Sequence, residues 1–441
     1  MGLTAEIGTF LASMATAREV PAGAGDIVRN GFIDCIGVMI AGWDEPVARL
    51  VRESLPLTGA GDDPLPLTAL GGAPPDLALA FATAAHALDY DDTGLGGHPS
   101  AVLVPAILAE TRAVAADSAA MIAAYVAGYE VWAELIGRDQ DQHHRKGWHP
   151  SAVFGPLAAA SASAVLRRLD ADTARHAIGI AASLAGGIVG NFGTMTKPFQ
   201  LGRAAQSGLL ATRLAAAGMT AAPDAIEHEA GFLNALSPAG RVDRSRPATL
   251  GSEWRILTHG LNLKLYPVCY AQHRVLNAMG DLRAQHGFAP ADIETVTVEI
   301  GETQAGMLRN HRPRTPLEAK FSAEFGVAAM AVAGNCGAAE LTDAFIARAD
   351  VRDLMARVHI ATITEKDPDN PEHSLYDRVA VTVRGGATLR SDKIMHARGH
   401  FRRPASADSL WRKFADCAAP ALGAPAARHL FDGLMRWEVP R

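Results

Sequence analysis

From the N-terminus to about residue 260 the chain reads as helix after helix. Ala and Leu dominate, β-branched runs are scarce, and Gly or Pro interrupts at intervals usual for globular helices. Asp76 is placed to cap a helix reaching Leu88. Segments 151–167, 174–190 and 203–217 are rich in Ala, Gly and Ser, and such small residues let helix backbones approach closely, so these segments are expected to be central and buried. After about residue 265 the pattern changes. TVTVEI (295–300) alternates Val296, Val298 and Ile300 with polar residues, the period-2 signature of a half-buried strand. RVHIATIT (357–364) and RVAVTV (378–383) repeat it, and Gly385-Gly386 turns the chain towards ATLRSD as a hairpin. Helical stretches at about 316–333 and 340–356 lie among these strands, and the last forty residues return to helix, free to pack back on the first domain. The fold class expected is mainly α: a large all-helical domain, 1–262 plus 402–441, and a smaller α+β domain, 263–401. No fixed-period repeat marks a solenoid.

A chain of 441 residues is comfortable for two domains, and 49% apolar with 20% charged is the balance of an ordinary globular protein. The net charge of −6 argues against a nucleic-acid or membrane-surface partner, since both usually need a basic patch. An anionic substrate would require positive charge gathered in a pocket. Cys35, Cys269, Cys336 and Cys417 are scattered with no Cys-x-x-Cys pair, so neither zinc nor iron–sulfur ligation is signalled, and a reducing compartment fits best. The first twenty residues lack the basic start and compact apolar run of a signal peptide, and Glu6 stands where a myristoylation signal wants Ser or Thr. The apolar stretches 77–88 and 101–109 end in charge or Pro well short of a membrane span. A cytoplasmic location is the expectation.

Four segments carry candidate chemistry. HALDYDDTGLGGHPSA (86–101) runs an apolar helix into Asp89, Asp91 and Asp92, then Thr93 and a Gly-rich loop ending in His98. Carboxylates at a helix C-terminus face the wrong end of the dipole and need an offset; a solvated loop with local turn bonds is the bland alternative at even odds. RKGWHPSAVFGP holds a second His-Pro-Ser-Ala, centred on His149. Two copies opening Ala-rich helices suggest two imidazoles at helix N-termini, which favour anions, although a four-residue repeat is weak by itself. GNFGTMTKPFQLGRAAQSG carries Lys197, and Arg203 in the first turn of the next helix. A surface charge is the usual reading of a Lys, but Phe192, Met195 and Phe199 beside it suggest one partly desolvated and aimed into a pocket. LKLYPVCYAQHRVLNAM brings Lys264, Tyr266, Cys269 and His273 to the seam between the domains. A nucleophilic Cys269 is the tempting reading there, and a half-buried structural thiol the better one.

Together with EAKFSAEFGVAAM (318–330) and GYEVWAELIGR (128–138), these segments resemble the MmgE/PrpD family over most of the chain. That family includes 2-methylcitrate dehydratase, cis-aconitate decarboxylase and iminodisuccinate epimerase. The resemblance implies a homodimer, an α+β domain acting as a lid, an active site between the domains, and a small carboxylate substrate with no metal or organic cofactor. By motif match Asp89, Thr93, His98, His149 and Lys197 fall on the family's site positions, with Lys264 and Cys269 beside them.

Removing a proton next to a carboxylate demands a base and cations that stabilise the enediolate. His98 and His149 are cast as the acid–base pair and Asp89 as orienting one of them. Lys197, Lys264 and Arg203 would bind carboxylates, with Thr93, Cys269 and His273 lining the substrate site. Dehydration is the first expectation, epimerisation the next and decarboxylation the third. Decarboxylases resembling this chain tend to have His where Cys269 stands and Tyr where Phe325 stands, and Gln200 occupies a place where His is common. Two other classes are weighed: a helical scaffold without activity, which would have no use for the Asp89, His98, His149 and Lys197 set, and a metallohydrolase built on Asp91, Asp92, His98 and His143-His144.

Overall fold

The computed structural model describes residues 2–59, 69–368 and 373–437. Contacts divide them into two compact units, Met1–Leu263 with Ser406–Arg441, and Lys264–Ala405.

The first unit is helical. Its centre is the helix Pro150–Leu166, in which every residue is buried, as suits a segment with no polar face. Against it pack Ser118–Ile136, Thr196–Ala216, Pro99–Glu110 and Ala171–Ala182. Pro74–His86 lies between Thr196–Ala216 and Pro99–Glu110. Small residues permit this closeness. A Cβ on Gly208 would sit 2.5 Å from the Ala159 Cβ and 2.6 Å from the Pro156 carbonyl oxygen, so only Gly lets Thr196–Ala216 approach that far. Ser118–Ile136 is long and apolar enough to cross a membrane, yet it is almost wholly buried within the unit, as a core helix is.

Three sequence expectations need correction. Pro74–His86 starts two residues before Asp76, with Ala73 at the cap and Pro at the first turn; Asp76 instead accepts a bond from Gln206 Nε2 at 2.9 Å. The helix expected over 174–190 ends at Ala182, where Gly186 and Gly187 turn the chain towards the Trp148–His149 backbone. The next helix begins at Thr196, which puts Arg203 in its third turn, exposed and bonded to Gln206.

The second unit is built on a four-stranded sheet of Val358–Ile363, Ile293–Gly301, Arg378–Val383 and Thr388–Arg390, in that order across the sheet. β1 (Ile293–Gly301) pairs in parallel with β2 (Val358–Ile363) and antiparallel with β3 (Arg378–Val383), which turns into β4 (Thr388–Arg390). A parallel pair needs a long crossover, and the residues between β1 and β2 supply it as short helices. The stretches expected as two helices are each broken, into Pro316–Ala319 and Ala323–Ala333, then Asp343–Ile346 and Ala349–Met355. Val296, Val298 and Ile300 face a core shared with Val275, Leu276 and Met279 of His273–His286.

The chain then returns to the first unit. Ala407–Leu422 and Ala424–Met435 pack on Ala24–Ala41, with the Phe414 ring 3.0 Å from where a Cβ on Gly37 would be.

Replacing Gly208 by Val should cost about 3 kcal/mol or more, because the branched side chain overpacks a helix contact that cannot open. Chemical unfolding of the variant would measure it; an unchanged midpoint would show that the contact yields.

Candidate active site

The helix Pro74–His86 ends where the first cluster begins, so His86 sits in its last turn and Asp89–His98 form the loop that follows. That loop is tightly shaped. Gly94 and Gly97 exchange two backbone bonds, of 3.0 and 2.8 Å, around Leu95 and Gly96, both at positive φ as a tight hairpin turn requires. Thr93 exchanges backbone bonds with Asn262 at 2.9 and 2.8 Å, which pins the loop to the end of the first unit's main segment. A Cβ on Gly97 would lie 2.7 Å from Ser151 Oγ and 2.9 Å from the Trp132 ring, so the loop lies flat against the second His-Pro-Ser-Ala motif. The His98 N–H donates to Ser151 Oγ at 3.1 Å. The serine of one copy thus holds the histidine of the other.

At the centre is Asp91, fully buried. His86 Nδ1 is 2.7 Å from its Oδ1 and His98 Nδ1 is 2.9 Å from its Oδ2. Desolvation alone would push this carboxyl up, but the two imidazoles hold it well below the usual carboxylate range. Burial brings the His86 ring down to about 4, so at neutral pH it is an uncharged ring donating Nδ1–H to Asp91. His98 Nδ1 also lies 2.9 Å from the Asp92 carbonyl. Faced by a carboxylate and a carbonyl, Nδ1 must be a donor, and Nε2 is the nitrogen turned towards the Asp89 side of the site. The two rings pack against each other at a 60° tilt, with centroids 4.3 Å apart. Asp92 differs sharply from its neighbour: burial, reinforced by Asp34, pushes its carboxyl well above the usual range, with the Ser100 N–H 3.4 Å from Oδ1.

Asp89 is half-buried and holds φ at +52°, a left-handed conformation that non-glycine residues keep only when their surroundings impose it. Lys197, in the first turn of Thr196–Ala216, places Nζ 3.0 Å from Asp89 Oδ1 and 5.1 Å above the Phe192 ring. His98 Nε2 is 3.9 Å from the same oxygen. One turn beyond Lys197, Gln200 donates Nε2–H to the Ile188 carbonyl at 3.1 Å and turns Oε1 to His149 Nδ1 at 2.7 Å. His149 is therefore an Nδ1–H donor with a free-standing Nε2 lone pair. Burial brings its ring down to about 2; the Gln200 bond opposes this, and Lys197 adds to it. Phe192 packs edge-on against His149 with centroids 4.8 Å apart, so one aromatic ring touches both the lysine and the imidazole.

The structure thus gathers Asp89, His98 and Lys197 at one point, with Thr93 in the same loop and His149 beside Phe192. Arg203 faces solvent on the lysine helix. Lys264, Cys269 and His273 belong to the second unit, where Lys264 is buried and Cys269 half-buried, its N–H donating to the Lys320 carbonyl at 2.9 Å. His273 is fully buried between Tyr266 and Tyr270, with ring centroids 5.4 and 4.9 Å away. Sequence reading missed His86, Asp91 as its partner, and Gln200 as the residue that sets the His149 proton. A histidine on an apolar helix reads as core. The signal available was the unoffset run of carboxylates just after it.

Among the described residues, the side chains close enough to share a cation are His86, Asp89, Asp91 and His98, whose ligand atoms all lie within 4.8 Å of one another. Asp92, His143 and His144 are not part of that cluster. Its atoms already pair internally, Asp91 with two imidazoles and Asp89 with the Lys197 ammonium.

The sequence matches the MmgE/PrpD N-terminal domain over residues 5–245 and the MmgE/PrpD C-terminal domain over 266–436. Cis-aconitate decarboxylase of Homo sapiens is 29% identical over 346 residues, which is 75% of this chain and 70% of the relative. The Mus musculus enzyme of the same name is 28% identical over 75% of this chain and 69% of its own. A cis-aconitate decarboxylase of Aspergillus terreus is 26% identical over 83% and 80%.

The buried neutral state of His149 makes stability depend on pH. Its folded value is depressed, so its contribution is complete above the unfolded value of about 6.5 and is lost as pH falls towards the folded one, at about 1.4 kcal/mol per pH unit. His149→Gln should therefore lose roughly 2 kcal/mol less than the wild type between pH 7 and pH 5. Urea midpoints at both pH values would measure it, and parallel losses would place the ring in contact with water.

Proposed function

Because the chain belongs to the MmgE/PrpD family across both its domains, we propose that it is a lyase acting on a small polycarboxylate of the citrate–aconitate kind. The observation that carries this reading is the setting of His98: Nδ1 is held between Asp91 and the Asp92 carbonyl, and Nε2 lies towards the Asp89–Lys197 pair.

An ionised carboxylate behind an imidazole raises its basicity and stabilises the imidazolium that forms when it takes a proton. His98 has such a partner; His149 has only a neutral amide. His98 is therefore the base. A substrate carboxylate would take the place of Asp89 on Lys197, and the ammonium would stabilise the enediolate as charge moves onto that carboxylate. Dehydration follows with balanced bookkeeping: the C–H bond breaks to His98, the electron pair forms the double bond, and the hydroxyl leaves as water with a proton from Lys197. His149, uncharged and with only the Nε2 lone pair to offer, is suited to accept a hydrogen bond from the substrate hydroxyl.

A second reading, decarboxylation, is favoured by the names of the relatives. In it the bond to a departing carboxylate breaks, carbon dioxide leaves, and the carbon retains the pair and takes a proton. Against it stand Cys269, and Phe325, which is fully buried in the second unit's core against Phe345 and offers no hydroxyl.

With 2-methylcitrate, citrate, cis-aconitate and iminodisuccinate as the first substrates, a dehydratase should raise near-ultraviolet absorbance as a conjugated alkene forms. A decarboxylase would release gas instead. Deuterium uptake with changed optical rotation and no alkene would mean an epimerase, and silence from all four substrates would sink the lyase reading. His98→Asn and Lys197→Ala should each lower kcat/KM by about a hundredfold or more with the fold intact, whereas Cys269→Ser should be mild. Dialysis against a strong chelator should leave turnover unchanged; loss restored by zinc, iron or manganese would assign the His–Asp cluster to a metal.

A further inference from the structure

The loop that carries Asp89 and Asp91 is held from behind by a residue that nothing in the proposed reaction uses. Lys413 lies on the returning helix Ala407–Leu422 and is buried, 4% exposed. Its Nζ is 2.5 Å from Asp34 Oδ1 on Ala24–Ala41, donates to the Tyr90 carbonyl at 2.7 Å, and sits 4.1 Å above the Tyr90 ring. One ammonium thus joins three separate stretches of chain.

Tyr90 is the residue between the two site carboxylates. On one side Asp89 holds its left-handed φ and its pair with Lys197; on the other Asp91 receives both imidazoles. The carbonyl of Tyr90 belongs to the peptide that joins Tyr90 to Asp91, so the ammonium holds the chain immediately before the buried carboxylate and one residue after Asp89. The Tyr90 side chain is clamped as well, in an apolar cluster with Val38 and Cys417. Neutralising Asp34 would not by itself require this geometry, since a lysine ammonium with three donors could pair with a buried carboxylate alone.

We propose that Lys413 is a positioning residue for the active site: through the Tyr90 carbonyl it fixes the peptide that leads into Asp91, and through the Tyr90 ring the residue that joins Asp91 to Asp89. The inference rests on the lyase reading for its catalytic consequence, not for its geometry. It also gives the returning C-terminal helix a purpose beyond covering Ala24–Ala41.

The test separates holding the loop from balancing a buried charge. Lys413→Met alone would strand Asp34 and could fail to fold, so the informative protein is the double variant Asp34→Asn with Lys413→Met, in which the charge pair is removed from both sides. Thermal unfolding, turnover of whichever polycarboxylate the wild type accepts, and amide hydrogen exchange across residues 88–98 are measured on the full chain. The expected result is a melting temperature near the wild type, a fall in kcat of about tenfold or more with KM changed less, and exchange across 88–98 faster by at least about tenfold while Pro150–Leu166 is unaffected. Recovery of wild-type kcat together with stability would overturn the proposal, because Lys413 would then serve only to balance Asp34. Wild-type exchange across 88–98 would overturn it equally. Should the wild type turn over no polycarboxylate, the lyase reading fails and the exchange measurement alone decides whether Lys413 holds the loop.

Discussion

Taking a carboxylate out of water costs several kcal/mol unless hydrogen bonds and charge replace the lost solvation. Asp91 is fully buried, and two imidazole Nδ1 atoms, one on each oxygen, are what make its burial possible. This single constraint organises the site. It fixes the tautomers of His86 and His98 together, turns His98 Nε2 away from the pair, and obliges the chain to bring the end of Pro74–His86 within reach of the start of Pro99–Glu110. The loop between them must then be compact, and the Gly94–Gly97 turn makes it so.

Around that pair the helical core acts as a rigid mount. Pro150–Leu166 has no exposed face, and the Ala and Gly contacts on its flanks bring Thr196–Ala216 close enough for Lys197 and Gln200 to meet Asp89 and His149. The repeated His-Pro-Ser-Ala motif gains its meaning here. In each copy the proline starts a helix immediately after the histidine, so the imidazole stands at the helix entrance, and Ser151 ties the second entrance to the first. A displacement of one helix would therefore move an imidazole, which ties the packing of the helices to the arrangement of the site.

The two histidines emerge as unequal partners. His98 is backed by an ionised carboxylate and His149 by a neutral amide, and the difference follows from Gln200 standing where a charged partner could have been. Asp91 and Asp92, adjacent in sequence, are shifted in opposite directions by what surrounds them: imidazoles hold one down, and burial beside Asp34 pushes the other up.

The sequence alone determined the division into a helical and an α+β part, because hydrophobic period is local and switches visibly from the Ala-rich helices to the alternation of Val296, Val298 and Ile300. It also singled out Asp89, Thr93, His98, His149 and Lys197, through short motifs that resemble those of the MmgE/PrpD family. What it left undecided is what depends on partners distant in the chain. That His86 answers Asp91, that Gln200 sets the proton on His149, and that Lys413 reaches the Tyr90 carbonyl cannot be read from spacing, since a hydrogen bond forms between neighbours in space. Ion pairing and desolvation act over a few ångströms with no regard for sequence separation, and so the charges and donors that each of these groups meets belonged to the tertiary structure.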